Sequence, residues 1–482
     1  MAETGKLFLS RPMIAGAARK QALQLPLYLF AIVDAGARKA EITSAVEALE
    51  AQAPPNHIVE VTIGLNRMHE LRDADLPVYW GWVGDYFVFA LNDPDGAAAA
   101  AVSKASYRAV PGYLADVPGT DDAIAFYLDS EKTLNTFEEA LRSIVPDQSD
   151  MEGFGKLRAV LAELGLGNLK TISARAGFAG PDVVSQGVVK FSGERSGLMA
   201  CYRPVQMSMF DMVDAKAVSA SVFNLNAAGV YDAVMNTVKQ AAGEEEIGDI
   251  EDALAEVEAE IGFGIRDGLL ASLAGPVVVY ELPAGAIMEA PQGGAVAIAE
   301  LADANKFENA LVALGNFASA ESDGMLQVST QEQDGRKIHT CTMAPLAMVG
   351  MMPTWTIVDN KAVIATNPAL CNLAVKQMTS AITSIRTTEG FQKATAKLPA
   401  NLLSVSYIDS KVQFNQMMTQ IQQFWPMVTM MATQAGVQLP FMLPQLGHIA
   451  SDMGPTVSYS WLDGNNIRSA YRGSGVEQVV GA

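Results

Sequence analysis

The feature that most constrains this chain is a phrase it repeats. Residues 295–317, AVAIAELADANKFENALVALGNF, read as a short apolar strand, an acidic turn at Asp303 and an amphipathic helix. After Asp34 the apolar residues Ile42, Val46 and Leu49 follow at plus eight, twelve and fifteen. After Asp129 come Leu134, Phe137, Leu141 and Ile144, and after Asp409 come Phe414, Met417, Ile421 and Phe424, each set at plus five, eight, twelve and fifteen. That spacing marks one face of a helix. A fifth strand opens at Val218, with Val230, Val234 and Val238 on a helical face behind it. Each strand feeds a helix that has to pack back onto its own sheet.

Hairpins complete the units. Residues 58–65 alternate as a strand, and Gly84-Asp85 separates two apolar runs as a tight turn does. The alanine tract at 97–101 starts a short closing helix. Further turns are expected at Asp334-Gly335 and Asp463-Gly464, and further strands at 171–177, 183–191 and 197–202. The segment PTWTIVDNKAVIATNP lies under the earlier hairpin with Trp80 on Trp355, Val83 on Val358, Val88 on Val363 and Asn92 on Asn367. From these correspondences the chain is expected to be α+β, built of repeated β-α-β-β modules. The sheets are expected to be mostly antiparallel, with helices on one face, in two tandem lobes. The boundaries are an N-terminal segment at 1–24, a first lobe of two modules at 25–208 and a second of three at 209–482. The second lobe carries an extra leading unit, whose segment GEEEIGDIEDALAEVEAEIGFG sets Ile247, Ile250, Leu254, Val257 and Ile261 against a carboxylate face.

Charge narrows the partners. There are 33 Lys and Arg against 53 Asp and Glu, a formal net charge of −20, which repels a phosphate backbone and an anionic membrane surface. No apolar run reaches the ~20 residues a bilayer crossing needs. The three cysteines, Cys201, Cys341 and Cys371, make no CxxC and no disulfide framework. The start, MAETGKLFLSRPMIAGAARK, has apolar pieces broken by Arg11 and Pro12 rather than a signal peptide's run. Taken alone it favours a cytoplasmic protein.

Motifs of chemistry are sparse, and neither a catalytic residue nor a cofactor is expected. His57, His69, His339 and His448 lie far apart, and His69-Glu70 lacks the second histidine of a zinc helix. Asn92, Asp93 and Asp95 before Gly96 lack a calcium loop's bidentate glutamate, so a turn and helix cap explain them. The recurring Asp34, Asp129, Asp303 and Asp409 sit where a strand joins a helix, and capping is the expected role. Two features remain. Trp80 and Trp82 share a strand face and Trp355 recurs at the first of these positions, which makes the three tryptophans candidate partner-binding residues if exposed and core if not. The methionine-rich stretch 417–453, with Phe424, Trp425 and Phe441, is either gap-filling core or an adaptable contact surface; thioethers also suit Cu(I).

The succession IGFGIRDGLLASLAGPVVVYELP, GGAVAIAELADANKFENALVAL and TIVDNKAVIATNPALCNLAV resembles a bacterial cell-envelope family catalogued as a domain of unknown function, in tandem copies. The resemblance covers most of residues 213–475 and, more weakly, 25–204. It implies a periplasmic or envelope location and brings no catalytic residues. The expected function is therefore a non-catalytic scaffold or binding protein of the envelope, presenting a sheet face to a protein or cell-envelope macromolecule. The alternatives are a hydrolase or ligand-binding protein with its site between the lobes, and an intracellular structural protein.

Overall fold

The computed structural model describes residues 13–19, 27–54, 56–63, 66–72, 77–93, 96, 98–99, 102, 117, 121–135, 138, 148–180, 182–242, 244–286, 288, 293–348, 350–380, 383–434 and 453–473. The chain is α+β and divides into two compact units, the first of residues 1–159, 168–194 and 465–470 and the second of 160–167, 195–464 and 471–482.

In the first unit the strands are β1 (Met13–Arg19), β2 (Leu27–Asp34), β3 (Ile58–Ile63), β4 (Asn66–Leu71), β5 (Val78–Val83), β6 (Tyr86–Leu91), β7 (Asp121–Asp129), β8 (Leu169–Ala179) and β9 (Asp182–Phe191). Their order across the sheet is β9-β8-β7-β1-β2-β6-β5-β4-β3, antiparallel except where β1 runs parallel to β7. The β5–β6 turn closes in two residues because Gly84 takes φ +62°, a conformation that suits glycine. Helix α1 (Lys39–Glu50) covers Val33 and Phe87 with its buried Ile42. The opposite sheet face buries Ile32, Met68, Tyr79 and Val88 against helical Ala98 and Ala99.

The second unit holds a separate set of strands and helices. Helix α2 (Gln148–Glu163) spans the boundary between the units' residue ranges, and β10 (Ser219–Phe223) leads into helices α3 (Ala227–Ala241) and α4 (Glu244–Ile261). Then come β11 (Leu273–Leu282), β12 (Gly294–Leu301), α5 (Ala304–Glu321), β13 (Leu326–Gln333), β14 (Arg336–Met343), β15 (Thr354–Val358), β16 (Lys361–Ala365), α6 (Pro368–Thr379), α7 (Glu389–Thr395), β17 (Leu402–Ile408), α8 (Ser410–Gln434) and β18 (Thr456–Asp463), while β19 (Asn466–Gly473) has residues 466–470 in the first unit's range and 471–473 in the second's. The strand order β13-β14-β15-β16-β12-β11-β10-β17-β18 is antiparallel throughout. Its main core gathers Val278, Tyr280, Ile298, Val363, Leu370 and Phe391, all at most 2% exposed. Each such side chain contributes about 1.5–3 kcal/mol of transfer free energy.

Three expectations are corrected. Helices lie on both sheet faces, not one. In the second unit α6 packs with Val363 and Ile298, whereas α5 packs through Phe307 on Ala362, which points the other way. The strands carry apolar residues at successive positions, so neither face can be left wholly to water. The strand expected at 197–202 is instead a short helix, Gly197–Ala200. Gly197 there takes φ +51° and lies so close to Glu163 and Gly165 that a side chain would meet their backbone. Finally, Asp34 does not stand at an N-cap position. It ends β2 opposite Tyr86, and a 3-10 turn at Gly36–Arg38 intervenes before α1, whose N-terminal flanks Ala35 and Arg38 supply no side-chain cap. Asp129, Asp303 and Asp409 do cap, each accepting from the backbone N–H three residues on at 3.0 Å.

Candidate partner-binding face

The registers of the first unit line up one row of residues across the sheet. His69 lies opposite Trp80, Trp80 opposite Phe89, Phe89 opposite Ala31, and Ala31 opposite Ala15. Met13 pairs with Ile124, and two residues on the same row reaches Phe126, which faces Ala174. All of these belong to the face that carries α1. The helix shields only the part near Val33 and Phe87, and further along the face is open. Leu29, Phe89 and Phe126 are 44%, 42% and 46% exposed, whereas Phe178, 54% exposed, stands apart, opposite Asp121 and four residues beyond Ala174. Phe89 and Phe126 stand three strand spacings apart, roughly 14 Å, with the small side chain of Ala31 between them. The result is a shallow apolar trough with aromatic walls.

The candidate tryptophans sit beside this trough. Trp80 and Trp82 are half-buried at the rim of α1. Trp80 Nε1 donates to Glu50 Oε1 at 2.6 Å, and the same oxygen lies 2.5 Å from His69 Nδ1. The His69 ring meets Trp80 edge-on at 5.8 Å. With Glu50 as the acceptor, Nδ1 carries the proton and the ring is held in one orientation. Trp82 packs edge-on against Phe87 at 5.3 Å, and Lys39 Nζ lies 5.1 Å from its ring centre while donating to the Gly84 carbonyl. Lys39 thus fastens the start of α1 to the β5–β6 turn.

The second unit holds the same residue types differently. His339 lies opposite Trp355, and the two rings stack at 5.2 Å and 17°. His339 is bonded at both nitrogens, Nδ1 to Thr330 Oγ1 at 2.9 Å and Nε2 to Glu308 Oε1 at 3.0 Å. Trp355 is 8% exposed, and its Nε1 has no acceptor among the described residues. Glu50 comes from the last turn of α1 and Glu308 from the second turn of α5. The carboxylate therefore reaches an equivalent His–Trp pair from opposite ends of the covering helix.

These clusters escape a reading of the sequence because the histidines are distant from one another and the pairing depends on register. The usable signal was the hairpin correspondence of Trp80 with Trp355, with a histidine on the strand before each. His57 lies just before β3, and His448 falls outside the described residues. Asp93 accepts from Ala98 N at 2.8 Å and Asn367 from Leu370 N at 3.0 Å, so the Asn-Asp segment caps a helix as expected, although Asp95 is outside the described residues. Of the helical face expected after Asp129, residues 137, 141 and 144 likewise fall outside them. In the methionine-rich stretch Phe414, Met417, Met418 and Met453 form a small core, Phe424, Met427, Met430 and Met431 are exposed, and Phe441 is outside the described residues. Among the described residues no three His, Cys, Asp or Glu side chains gather as a metal site needs, and no helix is long and apolar enough to cross a membrane.

No family model matches the chain, and no curated protein is similar to it. Among solved structures, crystal form III of TP0453 is similar at 9% identity and a TM-score of 0.26, over 54% of this chain and 77% of that one. Crystal form IV of TP0453 is similar at 10% identity and a TM-score of 0.23, over 59% of this chain and 98% of that one. Likenesses of this size carry no argument about the fold or the function of this chain.

Proposed function

We propose that this chain is a non-catalytic binding or scaffold protein of the cell envelope. In this reading it is built of repeated strand-helix-hairpin modules in two tandem lobes, and presents the open sheet face of the first unit to a protein or other envelope macromolecule. The observation that carries the reading is the trough of Leu29, Phe89 and Phe126. A contiguous apolar surface on a chain of net charge −20 is a contact surface in search of a partner rather than a solvated one. Trp80 and Trp82 at its rim are amphipathic anchors of the kind that dominate interfaces.

Repetition is supported by the matching strand orders β2-β6-β5-β4-β3 and β12-β16-β15-β14-β13, and by the cross-strand His–Trp pair in both. The envelope location rests on the family resemblance. The test is co-sedimentation of the purified chain with isolated peptidoglycan sacculi and, separately, with solubilised envelope proteins. Phe89→Asp with Phe126→Asp is expected to weaken retention by at least roughly tenfold, and Glu332→Ala, on an exposed strand of the second unit, to leave it unchanged. Equal retention of the double variant would overturn the reading. So would turnover of an ester or peptide substrate that His69→Ala abolishes.

A further inference from the structure

The first unit's sheet is one strand short of the second's, at a place that register fixes from two sides. Val88 and Val363 are level in the matching hairpins. Val88 pairs with Ile32 and Ile32 with Ile14, while Val363 pairs with Ile298 and Ile298 with Val278. Met13 of β1 therefore stands where Val277 stands in β11. From the other side, Asp129 and Asp409 each cap the helix after their strand, which sets Ile124 of β7 level with Ser404 of β17. In the second unit Val277 and Ser404 are not partners of each other. Both pair with Phe223, because β10 runs between β11 and β17, antiparallel to each. In the first unit Met13 and Ile124 pair directly, and among the described residues theirs is the one pair between β1 and β7. Past it, residues 14–19 and 125–129 continue with no ladder between the two strands.

We propose that an extended segment of another polypeptide inserts between β1 and β7, antiparallel to both, and takes the place that β10 holds in the second unit. Because β1 and β7 run parallel, one strand can lie antiparallel to each, as β10 does between β11 and β17. Entry gives up a single pair and gains a main-chain ladder on both sides, as in strand addition to a sheet edge. The segment comes from another chain because every strand among the described residues already has its own place in a sheet. The template for its chemistry is β10, the uncharged SASVF, whose Ala220 and Val222 are each 1% exposed on one face while Ser219, Ser221 and Phe223 occupy the other. One position departs from that template. Ser221 lies opposite Ser406 with their hydroxyl oxygens 2.7 Å apart, and the residue of β7 level with Ser406 is the half-exposed Phe126. A β-branched apolar residue suits that place better than serine. The inference rests on strand register and goes beyond the binding face proposed above.

The probe is a fluorescein-labelled synthetic peptide of residues 216–226 carrying Ser221→Val, titrated into the purified full chain. A saturable rise in anisotropy is expected. At saturation, amide exchange in residues 14–19 and 125–129 should slow by at least roughly tenfold, with exchange in β11 and β17 unchanged. In the free chain the amides of residues 14–19 should alternate between fast and slow, since among the described residues they pair only with β2. Val222→Pro in the peptide removes a ladder donor and should weaken binding by at least roughly tenfold. Restoring Ser221 should weaken it roughly two- to fivefold. Absence of binding at millimolar peptide overturns the proposal, as does equal binding of the proline peptide. Protection confined to β11 and β17 overturns it too, because the peptide has then exchanged into the second unit. Uniformly slow exchange of residues 14–19 in the free chain shows the place already filled and has the same consequence. Envelope retention that persists while the peptide fails to bind refutes this inference and leaves the proposed binding face standing.

Discussion

Trp80 and Trp355 occupy matching positions opposite a histidine, and their replacement by phenylalanine separates hydrogen bonding from burial. Burial alone makes Trp355, at 8% exposed, the costlier loss. The indole donors reverse that order. Trp80 Nε1 donates to the Glu50 carboxylate at 2.6 Å, and a bond to a charged group contributes about 1.5–3 kcal/mol. Trp355 Nε1 is buried without an acceptor among the described residues, which costs about 1–3 kcal/mol that phenylalanine does not incur. Both changes also lose ring volume, at about 1 kcal/mol. Trp80→Phe is therefore expected to loosen its hairpin by about 2.5–4 kcal/mol, and Trp355→Phe to lie between neutral and about 2 kcal/mol stabilising.

Two compact units make a single unfolding free energy ill-defined, so the assay is amide hydrogen exchange in β4–β5 and β14–β15. A loss of about 2.5 kcal/mol speeds local exchange roughly 60-fold. If Trp355→Phe accelerates exchange as much as Trp80→Phe or more, the reasoning from donor satisfaction fails.

Other expectations follow from the caps, the thiols and one glycine. Asp303→Ala removes the bond to Lys306 N and should cost about 1 kcal/mol, read as faster exchange in the first turn of α5. Burial pushes the Cys371 thiol up to about 12, so a thiol reagent should modify the partly open Cys341 first and Cys371 only after unfolding. Burial likewise takes Tyr407 to about 12. For both groups the folded chain favours the protonated form. Their contribution is complete below the unfolded values of about 8.5 and 10 and is lost as pH rises towards 12, so stability should decline on the alkaline side. Gly294→Ala should destabilise β12, since a side chain there meets Thr366 and Leu370 and φ is +141°; denaturant titration checks this.

Local chemistry made much of the fold legible. Asp334 and Gly335 both take positive φ and turn where the dipeptide places them, whereas the last hairpin turns at Gly464 and Asn465, one residue later than the Asp463-Gly464 expected, because Asp463 still belongs to its strand. The leading unit's acidic helix, written in alternating spacings of three and four, is α4. What was not legible depends on register and cover. Asp34 looks like Asp303 in the linear phase of apolar residues, yet the pairing of β2 with β6 sets it opposite Tyr86, where the level residue in β12 is Glu300 opposite Lys361. Phe126 and Phe178 read as ordinary strand aromatics. Their exposure depends on what covers the sheet at their level, which no property of their own segments encodes. The His69–Glu50–Trp80 contact joins three elements and has no linear signature.

The most direct test of a partner-binding sheet face is hydroxyl-radical footprinting of the chain free in solution and within its envelope fraction. Joint protection of Leu29, Phe89 and Phe126 in the fraction, with the exposed Met325 and Met348 of the second unit unchanged, is the predicted result. Equal labelling of the three in both states would contradict the account.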